Sequence, residues 1–379
     1  VKNFYSSDFI LGILGGGQLG RMLIQEAINY DIRIAVLDPS PEAPCAAIAH
    51  EFVCGSFHDF DTVYNFGKSK DILTIEIEHV NIEALEKLEK EGVLVYPQPS
   101  FLRMVQDKGE QKEFYRRNNI PTATFSLIAG IEELDGKQPL PFIQKMRTGG
   151  YDGKGVLAIK TSEDLEKAFD VPSVIEEMVD FEKEIAVIIS RNRDGEKSVF
   201  PIVEMEFNQE ANLVEFLFSP ASISKKTELE AIEIAHRIVD ISSFVGILAV
   251  EMFVTTDGQV LVNEMAPRPH NSGHHTIEAC VTSQYGQHLR AILNLPAGDT
   301  RLIEPAVMIN LLGEKGYSGK VRYEGLESAI GLAGVHLHLY GKRETKPFRK
   351  MGHVTVTAPD LQTALEKARQ VAQTVRVIV

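Results

Sequence analysis

The segment VGILAVEMFVTTDGQVLVNEMAP reads as two apolar strands closed by Asp257-Gly258, a strong short-range hairpin signal. A two-residue turn there sets Thr256 opposite Gln259, Val254 opposite Leu261 and Glu251 opposite Glu264. The two carboxylates then share one sheet face with Cβ atoms ~4.5–5.5 Å apart. Facing like charges destabilise a ladder, so the hairpin calls for a positive group between them. A magnesium ion suits two hard oxygen donors. The bland alternatives are a register slipped by one and a pair turned to solvent.

At 379 residues the chain exceeds one ordinary core, and two or three domains are expected. With 44% hydrophobic and 24% charged residues it has the composition of a soluble globular protein. No apolar run reaches the ~18 residues that span a bilayer, and VKNFYSSDFILGILGGG lacks signal-peptide architecture, so a cytoplasmic protein without a membrane partner is expected. Cys45, Cys54 and Cys280 are scattered, and buried free thiols are expected rather than disulfides or structural zinc. The net charge of −14 argues against nucleic acid but leaves room for local cationic pockets that take phosphorylated small molecules.

The first hundred residues alternate strand-like FILGILG, RIAVLD, ILTIEIEHV and VLVYP with helical GRMLIQEAINY and IEALEKLEKEG, with a loop after RIAVLD, which predicts a parallel α/β sheet. A further helix, DKGEQKEFYRRNNI, ends at Pro121. Strands then follow at short intervals, interrupted by a helix at SEDLEKAF with Ser162 as N-cap, which predicts antiparallel α+β structure. ELEAIEIAHRIVDISSFV, the hairpin and one helix through TIEACVTSQYGQHLRAIL follow, then a β-rich tail with AGVHLHLY, HVTVTA and a closing helix. The expected division is 1–107, 108–298 with a subdomain at about 121–185, and 299–379.

Gly15, Gly17 and Gly20 form G-x-G-x-x-G between a strand and a helix, where backbone amides can approach an anion; Asp38 stands where a dinucleotide enzyme keeps its ribose acid, so a nicotinamide cofactor competes with a phosphorylated substrate. TGGYDGKG, with Gly149, Gly150, Gly153, Gly155 and Lys154, makes a phosphate-wrapping loop that is not a Walker A sequence. Lys145 and Lys108 could supply point charges, though either alone reads as a surface lysine. Glu176 and Glu177, before Met178, Val179 and Glu184, suit an adenine and a ribose diol, though a solvated acidic cluster is the simpler reading. MAPRPHNSGHH presents Arg268, His270, Asn271 and Ser272 from a proline-stiffened strand exit. Zinc at His270, His274 and His275 lacks a second ligand cluster, and His336 and His338 read as partly buried side chains.

GGGQLGRM, RTGGYDGKG, NEMAPRPHNSGH and KPFRKMGHVTV, in this order, resemble the ATP-grasp superfamily and, within it, the N5-carboxyaminoimidazole ribonucleotide synthase family of purine biosynthesis, over nearly the whole chain. The resemblance implies an ATP-grasp fold with an N-terminal Rossmann-like domain and a small β-rich C-terminal domain. It implies ATP- and bicarbonate-dependent carboxylation of 5-aminoimidazole ribonucleotide through carboxyphosphate, one or two magnesium ions, a homodimer and a mutase that takes the product. Carried over, Lys108, Lys145, Gly149, Gly150, Tyr151, Asp152, Gly153, Lys154, Gly155, Glu176, Glu177, Met178, Val179, Glu184, Phe207 and Asn263 would hold ATP, and Glu251 and Glu264 magnesium. Gly17, Gln18, Leu19, Glu76, Lys342 and Arg349 would meet the ribonucleotide; Tyr151, Asp152, Lys154, Arg268, His270, Asn271 and Ser272 would surround the reacting centre.

Three positions depart from the resembled patterns. Ala266 stands where many ATP-grasp enzymes have a metal-binding Asn, Phe207 where a histidine often meets the nucleotide, and Phe348 where the tail motif usually has glycine. A formate-dependent glycinamide ribonucleotide transformylase shares the hairpin and a P-R-P-H segment, while biotin carboxylase needs residues that this chain lacks. A nicotinamide oxidoreductase leaves the paired glutamates and the glycine-rich loop unexplained, and a non-catalytic nucleotide sensor would release no ADP.

Overall fold

A computed structural model describes residues 3–134, 139–150, 155–208 and 213–379. Its first layer is a parallel sheet in the order Glu51–Cys54, Arg33–Asp38, Ile10–Leu14, Ile72–Ile75, Leu94–Val95. Leu11, Ile13, Leu14, Ala35, Val36 and Leu37 are fully buried, the pattern of strands covered on both faces. The region after Arg33–Asp38, expected as a loop, also carries the helix Phe60–Gly67, N-capped by Asp59. A short strand with no alternating pattern, Glu51–Cys54, gave periodicity little to detect. ILTIEIEHV is a strand only through Ile75, which leaves Glu76 and Glu78 at its carboxyl exit.

The central region contributes two antiparallel sheets. Phe125–Ile128, Ser173–Glu177, Phe142–Met146 and Val156–Ile159 form one. The other runs Val260–Ala266, Gly246–Thr255, Phe181–Arg191, Val203–Asn208, Leu213–Ser219, Ala306–Leu312, Lys350–Thr357, Val335–Leu339, with Lys197–Val199 also paired to Phe181–Arg191. This sheet crosses residue 299, so the tail's strands hydrogen-bond directly to those of the central region.

Two helical expectations change. SEDLEKAF is a 3-10 turn, Ser162–Lys167, whose N-cap is Thr161 in a capping box with Asp164, not Ser162. TIEACVTSQYGQHLRAIL is two helices, Thr276–Ala279 and Gln284–Ile292, because Cys280 leaves helical geometry to bridge Leu302 and Ser283 starts the second as its cap. Cys45 and Cys280 are buried, but Cys54 ends an edge strand and is exposed. No helix among the described residues is long and apolar enough to cross a membrane.

His288 joins the first sheet to the large one. Its Nδ1 accepts from Ile247 N at 3.3 Å, and its Nε2 lies 2.9 Å from Thr74 Oγ1. Burial pushes its pKa down from 6.5 to about 3, and that of fully buried His275 to about 4. An unfolded histidine takes a proton near pH 6.5 while these stay neutral in the native state, so stability falls as pH drops below 6.5. The slope is roughly 1.4 kcal/mol per pH unit for each such histidine until its folded value is reached. Urea midpoints should therefore drop between pH 7 and pH 5, and less steeply in His288→Gln; parallel curves for the two proteins would contradict the assignment.

Candidate active site

Glu251 and Glu264 do pair across the hairpin, although the turn is not the expected one. Thr256, Asp257 and Gly258 form a three-residue loop closed by Thr255 N to Gln259 O, with Gly258 at φ +83°. This shifts the register by one, so Val254 faces Val260 rather than Leu261. A β-bulge at Asn263 then restores the pairing of Glu251 with Glu264. The extra residue turns the Asn263 amide to the same group of charges, where its Oδ1 accepts from Lys145 Nζ at 2.8 Å.

Lysines from two other elements meet this hairpin. Lys108 opens the helix Lys108–Arg117 and reaches Glu264 at 2.5 Å, while Lys145, from the four-stranded sheet, lies 3.1 Å from Glu176. Lys108 is held above its usual range because Glu264, with Glu176 and Glu251, outweighs burial; Lys108 in turn holds the Glu264 carboxyl low. Glu251, with no comparable partner, is pushed up by burial and by the Glu264 and Glu184 charges. Glu184 rises to about 7, again mainly through burial. Among the described residues no three or more His, Cys, Asp or Glu converge as a metal site. Two carboxylates are nevertheless enough for a magnesium ion that takes its remaining oxygens from water and phosphate. Burial and the neighbouring Glu264 and Glu184 charges make ionising Glu251 costly, a cost that a cation between the two carboxylates would offset.

Glu176 is buried rather than part of an exposed cluster, and it also faces Lys112 at 3.3 Å. Burial would raise its pKa, but Lys145 and Lys112 hold it low. Sequence reasoning missed Lys112, whose pKa burial lowers to about 8 and whose Nζ donates to Thr122 Oγ1 at 2.7 Å. It also missed Asp107, which N-caps the Lys108 helix and takes two hydrogen bonds from Arg147, at 2.8 and 2.7 Å. Arg147 begins the RTGGYDGKG motif, so the loop's stem and the Lys108 helix are fixed to one carboxylate. An acid directly before a helical run was the available signal.

Gly149, Gly150 and Gly155 flank the loop's base, where Met146 N donates to Gly155 O at 2.8 Å and both Gly149 and Gly155 have positive φ. Tyr151, Asp152, Gly153 and Lys154 lie outside the described residues. Glu177 ends the strand Ser173–Glu177 beside Glu176, and Met178 and Val179 begin the passage from there to the large antiparallel sheet. Phe207 packs against the cluster of Ala186, Val203, Met205 and Leu217, so this position presents an apolar ring where a histidine would present a polar one.

In the first layer the glycine turn is occupied by the protein itself. Gly17 N and Gly20 N donate to the Glu76 carboxylate, at 2.5 and 2.8 Å, and Gly16 N donates to Asp38 at 2.8 Å. A dinucleotide pyrophosphate would meet this carboxylate, so the nicotinamide alternative fails on geometry. The same contact leaves those two amides unavailable to a substrate phosphate. Gln18 begins the helix Gln18–Ile28, while Leu19 is buried in the core. Gly17, Lys342 and Arg349 do line one open cavity of about 350 Å³, together with Ser40, Glu42 and Arg343. Lys342 Nζ donates to Lys350 O at 2.6 Å and Arg349 Nη1 to Glu344 O at 2.7 Å, which places both cations at its wall.

Phe348, beside Arg349, has φ +63°, the conformation that a glycine there would adopt freely. Phe348 N to Gly313 O at 2.8 Å and Gly313 N to Arg349 O at 2.9 Å hold the turn, so the phenylalanine is kept in a left-handed backbone with local strain. Phe348→Gly should raise stability by up to ~1 kcal/mol, read as a higher urea midpoint at unchanged slope. A lower midpoint would mean that ring packing outweighs the backbone term.

After the hairpin, Arg268 Nε lies 2.7 Å from Glu78 Oε1, an acid that sequence reasoning passed over. His270 Nε2 is 3.5 Å from Glu251, and its Nδ1 is 2.8 Å from Ser272 Oγ. Asn271 and Ser272 begin the short turn Asn271–Gly273 and are buried. His274 and His275 are also buried, His338 pairs with Glu278 at 2.6 Å, and His336 is exposed.

Three family models match consecutive stretches: a ribonucleotide synthetase pre-ATP-grasp domain over residues 9–106, an ATP-grasp domain over 113–285, and a phosphoribosylaminoimidazole carboxylase C-terminal domain over 306–367. The N5-carboxyaminoimidazole ribonucleotide synthase of Bacillus subtilis is 37% identical, with 91% of this chain and 90% of that protein covered. This chain belongs to the N5-carboxyaminoimidazole ribonucleotide synthase family. The family's solved structures agree: that from Thermotoga maritima has 44% identity and a TM-score of 0.91, covering 98% of this chain and 99% of that one. The Aspergillus clavatus enzyme in complex with ADP and 5-aminoimidazole ribonucleotide has 32% identity and a TM-score of 0.87, covering 96% and 98%. The chloroplastic phosphoribosylaminoimidazole carboxylase of Vigna aconitifolia is 40% identical over 94% of this chain, which spans 65% of that longer protein. Membership of this family settles the fold as ATP-grasp with its N-terminal parallel-sheet and C-terminal companions.

Proposed function

We propose that this chain is an ATP-dependent carbon–nitrogen ligase that joins bicarbonate to the amine of 5-aminoimidazole ribonucleotide, forming N5-carboxyaminoimidazole ribonucleotide with release of ADP and phosphate. The observation that carries the reading is the meeting of Glu251 and Glu264 with Lys108 and Lys145, from three separate elements, next to the Arg268–His270 exit. The complex of the Aspergillus relative with ADP and 5-aminoimidazole ribonucleotide supports the choice of substrates. The working division is 1–107 for the ribonucleotide, 108–298 for ATP with a covering subdomain at about 121–185, and 299–379 closing the ribonucleotide pocket.

Glu251 and Glu264 are the ligands for magnesium, which when bound neutralises phosphate charge. Lys108 and Lys145 turn from their carboxylates to the ATP phosphates, and Asn263 holds Lys145 on that side. Glu176, Glu177, Met178, Val179 and Glu184 frame the nucleoside, with Phe207 beneath it. Gly149, Gly150, Tyr151, Asp152, Gly153, Lys154 and Gly155 cover the phosphates and exclude water, which a short-lived carboxyphosphate requires. A bicarbonate oxygen attacks the γ-phosphorus as ADP leaves. The substrate amine then attacks the carboxyl carbon, phosphate departs and the amine loses a proton. Arg268 holds bicarbonate and the developing charge, and Asp152 or His270 takes the proton. Asn271 and Ser272 shape this centre, while Lys342 and Arg349 hold the ribonucleotide in the cavity that Gly17 lines, with Gln18 at its edge, and Glu76 and Leu19 support the glycine turn and helix behind it. We assign the active form as a homodimer, and the N-carboxylated product to a mutase that moves the carboxyl to carbon.

Oxygen-18 in bicarbonate tests the route, because carboxyphosphate formation passes one labelled oxygen into the released phosphate. Unlabelled phosphate during coupled turnover would rule it out.

A further inference from the structure

We infer that Asn310 is a positioning residue for this site, acting from the tail's sheet through Asn271 on His270. The inference rests on the reading of Asn271 and His270 as site residues. Asn310 interrupts the apolar strand Ala306–Leu312, AVMINLL, and is buried there. A buried carboxamide is costly unless its hydrogen bonds are met, and here they are met by the predicted site. Its Oδ1 accepts from Asn271 Nδ2 at 2.8 Å, and its Nδ2 donates to Asn271 Oδ1 at 2.9 Å and to Val214 O at 2.9 Å. The exchange is reciprocal, so turning either amide over would set donor against donor and acceptor against acceptor.

Asn271 opens the turn in which Ser272 N donates to His270 Nδ1 at 3.3 Å. Nδ1 thereby faces the turn, and Nε2 is the nitrogen presented to Glu251, 3.5 Å away. One amide in the tail is thereby linked to the orientation of an imidazole at the acid pair. Directly opposite Asn310 on the neighbouring strand stands His353, whose ring lies 4.7 Å from that of His274. Adjacent positions of the tail's strands thus engage both Asn271 and His274, at the two ends of the turn.

Asn310→Leu keeps the approximate shape and leaves the Asn271 amide unmatched. It should lower kcat by about 10-fold with KM for ATP changed less than about twofold. In histidine-labelled protein, the His270 ring resonances should shift away from their parent positions. Asn310→Ser, which cannot span to Asn271, should do the same and provides a second route if the leucine variant does not fold. Combining Asn271→Ala with Asn310→Leu should cost little more than Asn271→Ala alone. If Asn271→Ala slows turnover while both Asn310 variants keep kcat and the His270 pattern, the Asn310 link is wrong and the site reading survives. If Asn271→Ala itself leaves turnover unchanged, both fall.

Discussion

Glu264→Gln should reduce 5-aminoimidazole ribonucleotide-dependent ADP formation about 10³-fold, the scale of losing a preorganised electrostatic partner in a water-excluded site. The substitution keeps the side chain's size but removes the charge that Lys108 meets at 2.5 Å and that faces Glu251 across the ladder. Glu251 is then relieved of a like charge, so the fold should tolerate the change while magnesium-dependent nucleotide binding weakens. A tenfold rise in magnesium should recover little of the rate, because the defect lies in the charge at the γ-phosphate as well as in affinity. Wild-type turnover in this variant would remove the acid pair from the mechanism.

Arg268→Ala should be comparably severe, about 10³-fold in kcat, but should leave ATP and ADP binding near the parent value. The guanidinium is held by Glu78, and on the proposed mechanism its loss removes a group at the bicarbonate end of the reaction rather than at the nucleotide. Glu78→Gln should cost about 10-fold, as expected for a residue that only orients another. Calorimetric titration with ADP alongside steady-state rates separates the two effects. Equal losses in nucleotide binding and turnover for Arg268→Ala would place the arginine at the phosphates instead.

Much of this was legible because the informative segments are local. A strand, a glycine turn and a helix announce themselves within some twenty residues, as do a hairpin with facing acids and a proline-stiffened exit. The reciprocal pairing of Glu251 and Glu264 survived an incorrect turn only because the bulge at Asn263 compensated for the one-residue shift. No sequence period encodes that pair of offsetting irregularities. Lys112, Glu78 and the Asp107–Arg147 pair escaped notice for a different reason. Each acquires its role from a partner brought close by the fold: Glu176 for Lys112, Arg268 for Glu78, and Arg147, forty positions on, for Asp107. The Glu76 carboxylate in the glycine turn is another such case. Composition there favoured an external anion, but the chain supplies its own.

The most direct test of the central claim is ADP formation by the purified protein with ATP, magnesium and bicarbonate, with and without 5-aminoimidazole ribonucleotide. Glycinamide ribonucleotide with formate serves as the comparison pair. Stimulation by the imidazole ribonucleotide alone, and only with bicarbonate present, is the predicted result. Stimulation by the glycinamide pair alone, or ADP formation indifferent to both acceptors, would contradict it.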